Sequence, residues 1–286
     1  MKAPSEPDLA VVVLAVGNMP QIPSAIESLI TQPEPLEIVL VHSAARDPDL
    51  AYAPPPGVRR VSSEDLLLTG AARNLGIAHT RAPWIAFLSA DCRAQPGWAT
   101  GRLAAHRGGA PIVSAAVVNP SPESSIAWAS YILLHHRRWP RVPSHLALHY
   151  GASYSRQALL GVGGFDPRLA VGEDTDLNRR LAAAGVVSLW EPRIQATHPY
   201  PTEPIPFRRE HAERGARAAR AWLAMNEEAW ARELGARPLR RAARALAFSW
   251  RYAAQTDRHR ILKAFPWVIA GGRDYARGAR SEVSRF

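Results

Sequence analysis

The sequence predicts an α/β fold: a mostly parallel central sheet flanked by helices, followed by a C-terminal helical appendage. Three observations predict it. Short apolar runs rich in β-branched residues recur through the first half, as expected of strands covered on both faces. Segments with helical spacing separate those runs, and strand alternating with helix is the pattern of βαβ units. After Pro206 the chain turns rich in Ala, Arg and Trp, which divides it into an α/β body over residues 1–206 and a basic, Trp/Arg-rich helical region over 207–286.

The elements follow in chain order. LAVVVLAV (9–16) is a near-continuous apolar run and reads as a buried strand. Ile22, Ile26, Leu29 and Ile30 then recur at helical spacing, and LEIVLVH (36–42) is the next strand. YAPPPG (52–57) is a surface loop. Ala71, Leu75 and Ala78 mark a small-residue helix, after which WIAFLSA (84–90) and PIVSAAVV (111–118) supply two more strands. HYGASYSR (149–156) and VVSLW (186–190) are strand candidates on either side of a helix over 175–184, whose inward positions are Leu177 and Leu181. In the basic region, Pro238 and Pro266 predict helix breaks.

Composition limits the function classes. With 286 residues and 47% hydrophobic content, the chain buries one large core or two modest ones and is far from the disordered class. A single cysteine, Cys92, excludes an intramolecular disulfide and any multi-cysteine metal site, so nothing requires an oxidising compartment. Glu6 and Asp8 stand where a signal peptide carries positive charge, and no stretch approaches the roughly 18 apolar residues needed to span a bilayer. A cytoplasmic protein is therefore expected. The net charge of +10 is unevenly spread: residues 1–206 hold 17 basic and 17 acidic residues, and residues 207–286 hold 18 and 8. That basic region, with Trp222, Trp230, Trp250 and Trp267, suits helices lying on an anionic membrane surface, so a peripheral position on the inner face is expected. The alternative is that these helices pack on the body with Trp inward and Arg solvated.

In an open α/β sheet, ligands bind outside the carboxyl ends of the strands, so residues there carry the most weight. FLSADC puts Asp91 at such an end, where a carboxylate can hold a hard divalent cation; the alternative is an Asp capping a turn. In GAARNLGIAHTRAPW, Arg73 and Asn74 sit on a helix from which a guanidinium can reach a phosphate or the acidic strand end. Gly163-Gly164-Phe165 is a turn able to take positive φ and to form one wall of a site. Glu173 and Asp174 follow Gly172 at a helix start, Asp174 at or near the N-cap, and the alternative is that both are caps. His198, in THPYP, lies downstream of the acidic helix. A nucleophile elbow, Walker loop, zinc-ligand spacing and dinucleotide fingerprint are all absent from the sequence.

Taken in order, these pieces resemble the family 2 inverting glycosyltransferases, which have the GT-A fold. The resemblance spans about residues 9–200 and rests on ARNLGIA, on WIAFLSADC followed by PGW, on GVGGFDPRLAVGEDTDLNRRLAAAGV and on THPYP. It implies a GT-A-like sheet with a Rossmann-like nucleotide-binding half, and transfer of a sugar from a nucleoside-diphosphate-sugar to a hydroxyl acceptor. The acceptor would be a glycan, a lipid-linked intermediate or a small molecule, as in polysaccharide biosynthesis. By the resemblance, Asp174 matches the catalytic base and Glu173 its acidic neighbour. Asp91 matches the last position of the Asp-X-Asp motif that holds Mg²⁺ or Mn²⁺ on the donor diphosphate, and His198 a histidine that some members use as a metal ligand. Asn18, Arg73, Asn74 and Ser89 fall with Asp91 on the donor side, and Gly163, Gly164 and Phe165 on the acceptor side. The chain departs from the pattern at three places. Ser89 replaces the first acid of Asp-X-Asp, His42 or Ser43 stands where an Asp commonly follows the second strand, and VGNMP leaves Asn18 where Tyr-Asn or Arg-Asn is usual.

Two other readings compete. Ser89 and the altered second-strand end suit a non-catalytic GT-A-fold binding or scaffold protein. A nucleic-acid surface on the basic region is weaker, because its Arg residues are interleaved with Ala, Leu and Trp at helical spacing, so no nucleic-acid partner is expected.

Overall fold

The computed structural model describes residues 6–17, 19–44, 52–169 and 171–286. The chain forms β1 (Leu9–Val16), α1 (Ile22–Ile30), β2 (Leu36–Ser43), β3 (Val58–Ser63), α2 (Thr69–Ala78), β4 (Trp84–Ser89), β5 (Arg93–Ala94), α3 (Trp98–Arg107), β6 (Ile112–Val118) and α4 (Ser125–His135). It continues through β7 (Ser153–Ser155), α5 (Arg156–Gly161), α6 (Glu173–Ala183), β8 (Ser188–Thr197), α7 (Pro204–Ala224), α8 (Glu228–Gly235), α9 (Pro238–Tyr252) and α10 (Arg258–Val283).

Eight strands make one sheet in the order β3-β2-β1-β4-β7-β6-β8-β5. The β3-β2-β1-β4 half is parallel, with Leu9 opposite both Leu36 and Trp84. Antiparallel pairing enters at β7, which runs against β4 and β6, and again between β5 and β8. The sheet is therefore mixed, where apolar runs alone predicted a mostly parallel one. Strand direction is not written into a three-residue element such as Ser153–Ser155.

The continuous apolar runs of β1 and β2 have a physical cause: both faces of the sheet are covered, so side chains of both parities must be apolar. Leu9, Val11 and Val13 pack on one face against Ile22, Ile26 and Leu29 of α1 and Trp98 and Leu103 of α3. Ala10 and Val12 face the other way, into a cluster with Ile77, Phe87, Tyr154, Phe165, Leu177 and Leu181. Each fully buried Leu, Ile or Val contributes about 1.5–3 kcal/mol by leaving water. β3, with the sequence VRRVSS, was not foreseen, because a half-exposed edge strand needs no apolar run.

The chain divides into two compact units, Met1–Ala116 with Ala147–His198, and Val117–Leu146 with Pro199–Phe286. Residues 117–146 thus group with the C-terminal helices, whereas composition alone placed a boundary at 206. The sequence explains this: α4, SIAWASYILLH, is buried from Ile126 to Ile132 and needs helices on more than one side. Within the second unit α7 and α10 cross at bare backbone. A methyl group at Gly215 would collide with the carbonyl of Tyr275, and one at Gly278 with the carbonyl of Ala212. Pro238 opens α9, as a break there predicts, but Pro266 lies inside α10 without ending it. Pro266 and Leu262 are both exposed, so the ring and the carbonyl it leaves without a partner lie on the solvent side. Among the described residues, no helix is long and apolar enough to cross a membrane.

Candidate functional site

The acidic stretch forms the start of α6, but not as caps. Gly172 occupies the N-cap with φ +80°, Glu173 and Asp174 are the first two helical residues, and no side chain caps the helix. Asp174 instead meets Arg73 of α2, whose Nη1 and Nη2 donate to Oδ1 and Oδ2 at 2.6 and 3.2 Å. Glu173 Oε1 lies 3.3 Å from the same Nη1, and the three side chains are only 11–18% exposed. The guanidinium also lies over the rings of Phe165 and Phe87, at 4.8 and 5.4 Å. Burial by itself would lower the Arg73 pKa, but the charges of Asp174 and then Glu173 outweigh it and hold it above its ordinary value. Burial lifts the Glu173 carboxyl above the usual carboxylate range; Arg73 opposes the rise and Asp174 adds to it. One largely buried cation thus serves two carboxylates.

The glycine turn beside this cluster is held from two sides. Gly163 and Gly164 both take positive φ, +81° and +71°, as the sequence predicts. Asn74 Nδ2 donates to the Phe165 carbonyl at 2.7 Å and its Oδ1 accepts from Phe165 N–H at 3.0 Å. Arg180 donates to the carbonyls of Val162 and Gly164 at 2.6 and 2.8 Å, and is itself held by Asp176 at 2.8 Å. Both amide groups of Asn74 are therefore engaged with backbone, which makes it a brace for the turn. The Phe165 ring is 1% exposed, packed edge-on to Phe87 and Tyr154, so it forms part of the core and not an open acceptor wall. Asp176 is paired with Arg179 and Arg180, which outweigh its burial and hold its carboxyl below the ordinary value.

A second cluster lies past the carboxyl end of β4. Asp91 Oδ2 is 3.8 Å from His198 Nε2, and Cys92 Sγ donates to Asp91 Oδ1 at 3.4 Å. One ligand atom from each of the three lies within 4.8 Å of the others. A carboxylate and an imidazole suit a hard or borderline divalent cation, whereas a thiol is a soft donor better matched to other metals. The Asp91 and His198 donors fit such a cation with positions left for oxygens of a ligand; the thiol does not improve the fit. Ser89 is exposed at the end of β4. At the neighbouring strand ends, His42 Nε2 bonds the Gly17 carbonyl at 2.7 Å, while among the described residues His42 Nδ1 and Ser43 Oγ are buried without a hydrogen-bond partner. Asn18 lies outside the described residues.

The structure thus joins Arg73, Glu173 and Asp174 in one cluster and Asp91 with His198 in the second, and it sets Asn74 beside Gly164 and Phe165 as a brace of the turn. Phe87, under Arg73, precedes Asp91 on the same strand end. Sequence reading missed three partners: Asp174 for Arg73, Cys92 beside Asp91, and Arg180 on the glycine turn. Only the Asp176–Arg180 pair that holds this arginine was legible, since the two are four residues apart on a helix.

The family model of glycosyl transferase family 2 matches residues 10–159, more than half of the chain. It belongs to glycosyl transferase family 2. Two curated relatives of this family 2 chain, both named pre-mycofactocin glycosyltransferase, come from two strains of Mycobacterium tuberculosis. Each is 31% identical over 143 residues, which is 46% of this chain and 30% of the relative. The chain therefore spans less than a third of the length of the curated relatives it matches. Among solved structures, the mannosyltransferase PcManGT of Pyrobaculum calidifontis, in complex with GDP-Man and Mn²⁺, is similar with a TM-score of 0.57 at 17% identity, covering 98% of this chain and 88% of that one. S. aureus TarS 1–349 is similar with a TM-score of 0.52 at 12% identity, covering 96% and 91%. At such identities the likeness is one of fold: a curled mixed sheet flanked by helices, as in GT-A glycosyltransferases, here with C-terminal helices.

Proposed function

We propose that this family 2 chain transfers a sugar, with inversion, from a nucleoside-diphosphate-sugar to a hydroxyl of a glycan, lipid-linked or small-molecule acceptor. The observation that carries the reading is the pair of largely buried carboxylates at the start of α6, 12% and 18% exposed, sharing one guanidinium that is 11% exposed, in a chain whose family is established. Asp174 acts as general base: it takes the acceptor O–H proton as that oxygen forms its bond to the anomeric carbon, and the bond from that carbon to the diphosphate oxygen breaks with its electron pair on the leaving nucleoside diphosphate. Arg73 fixes the direction of the Asp174 carboxylate through two hydrogen bonds. A specific observation favours a second assignment within the same reaction. Burial raises the Glu173 carboxyl above the usual carboxylate range, the direction that strengthens a base, and Glu173 meets Arg73 through a single, longer contact.

Asp91 and His198 would hold a divalent cation, Mg²⁺ or Mn²⁺. When bound, such an ion neutralises charge on the departing diphosphate. The Mn²⁺ in the mannosyltransferase complex supports this choice of cation class, and its GDP-Man the choice of donor class. The non-catalytic reading rests on Ser89 and on the altered end of β2, where His42 and Ser43 stand. The test is nucleoside diphosphate release across UDP-, GDP- and dTDP-sugars with Mn²⁺, with the anomeric configuration of the product read by NMR. Release from no donor would remove the enzyme reading, and retention of configuration would remove the single-displacement mechanism.

A further inference from the structure

The exposed side of α9 carries arginines without counterions. Its sequence, PLRRAARALAFSWRY, contains four arginines and no carboxylate. Arg240, Arg244, Trp250 and Arg251 are exposed along one side, while Ala242, Ala245 and Ser249 are buried on the other. The Arg258 guanidinium lies 5.2 Å from the centre of the Trp250 ring, which joins this face to the first turns of α10. There Leu262 and Phe265, four and seven residues past Arg258 and so on its side of the helix, are 62% and 53% exposed, with Lys263 exposed between them. Among the described residues, none of Arg240, Arg244, Arg251, Arg258 or Lys263 is in an ion pair. The carboxylates near the start of α10, Asp257 and Glu123, are both engaged by Arg260 at 2.8 Å. Trp222 and Trp267 are not part of the face: Trp222 stacks on Trp230 and Trp267 packs against Phe207.

We propose that this α9–α10 face docks on the surface of an anionic lipid bilayer. The combination selects the occupant. A bilayer surface offers anionic headgroups to unpaired cations and, just below them, an acyl boundary for Trp, Leu and Phe. A second copy of the chain paired by two-fold symmetry would set these arginines against themselves. A nucleic acid would match the charge but leave Leu262 and Phe265 in water. The proposal uses none of Arg73, Asp91, Glu173, Asp174 or His198, and it stands independently of the transfer reaction.

The experiment is flotation of the full chain with phosphatidylcholine vesicles and with mixed phosphatidylcholine/phosphatidylglycerol vesicles, across a salt series. The chain should partition onto the mixed vesicles and lose partitioning as salt rises. Arg240→Gln, Arg244→Gln and Arg251→Gln together should lower it by about 10², from about fivefold per cation near an anionic surface. Leu262→Ser with Phe265→Ser should lower it at every salt concentration. Circular dichroism confirms that each variant is folded, and the wild-type salt series with Arg244→Gln alone serves as the test should the triple variant fail to fold. Equal partitioning onto neutral and mixed vesicles overturns the proposal, as does partitioning onto neither. A dimer or a duplex-DNA complex abolished by the same substitutions, in the absence of vesicle binding, would replace it.

Discussion

Replacing Arg73 by Met removes the cation but keeps an apolar stem over Phe165 and Phe87, so the change isolates its charge. Glu173 and Asp174 then remain 12% and 18% exposed with no counterion in the cluster. Breaking a buried ion pair from one side costs about 3–5 kcal/mol, a large share of the ~5–15 kcal/mol that holds a typical domain folded. The sign of the pH dependence follows from Glu173, whose folded pKa is already raised above its ordinary 4.5 by burial. A raised carboxylate contributes stability in its protonated form, present below the unfolded value and lost as pH rises through the folded one. Loss of Arg73 removes the opposing pull and raises that pKa further, so the deficit of Arg73→Met must widen from pH 5 to pH 8. Its slope is bounded by about 1.4 kcal/mol per pH unit for each proton involved. Urea unfolding of both proteins at pH 5, 6.5 and 8 measures it. The expected deficit is about 3–5 kcal/mol at pH 8 and at least ~1 kcal/mol smaller at pH 5, and adding Glu173→Gln should recover part of it. A deficit that is flat with pH, or below about 1 kcal/mol at pH 8, would show that the carboxylates are solvated and that the cluster is not a buried one.

Three further outcomes are expected. Whichever of Asp174→Asn and Glu173→Gln removes the base should cut transfer by about 10²–10⁴ at saturating donor, and the other should cost far less; equal, small losses in both would leave the reaction without either base. Asp91→Ala should cost more activity than His198→Ala, since it removes the only carboxylate of that donor set, and full activity in excess EDTA would refute a cation there. Gly163→Ala and Gly164→Ala share a backbone strain of about 1–2 kcal/mol. The second also forces a Cβ to 2.9 Å from Asn74 Oδ1, whereas nothing lies within 4 Å at the first. Gly164→Ala should therefore melt lower, and equal melting temperatures would remove Asn74 as the brace of the turn.

What could be read from the sequence was what local chemistry writes. β1, β2 and β4 are continuous apolar runs because both faces of the sheet are covered, and the positive φ of Gly163 and Gly164 follows from having no side chain. β3 escaped because an edge strand can be as polar as VRRVSS, and the antiparallel half because β7 has only three residues. In the site, residue types were legible and partners were not. Arg73 and Asp174 are 101 residues apart, so nothing local announces that one binds the other. Asp174 looked like a cap because acids favour helix starts, but Gly172 takes the capping position and frees both carboxylates for Arg73. Phe165 looked like a site wall; a ring beside a turn faces in or out depending on a core assembled from Phe87 and Tyr154, far away in the chain.

The crossing of α7 and α10 fixes more than a distance. Gly215 lies on the backbone of Tyr275 and Gly278 on that of Ala212, so the two contacts are reciprocal and three residues apart on each helix. The pairing runs in opposite directions along the two helices, as in a key cut on both edges. Sliding α7 by one residue brings Arg214 or Ala216 onto Tyr275, and sliding α10 brings Arg277 or Ala279 onto Ala212, so a side chain replaces a bare Cα and the helices must separate. Two missing methyl groups thus encode the alignment of α7 and α10. Even Ala at either position should be rejected in a library selected for folding, while exposed neighbours such as Arg209 and Arg217 accept most replacements.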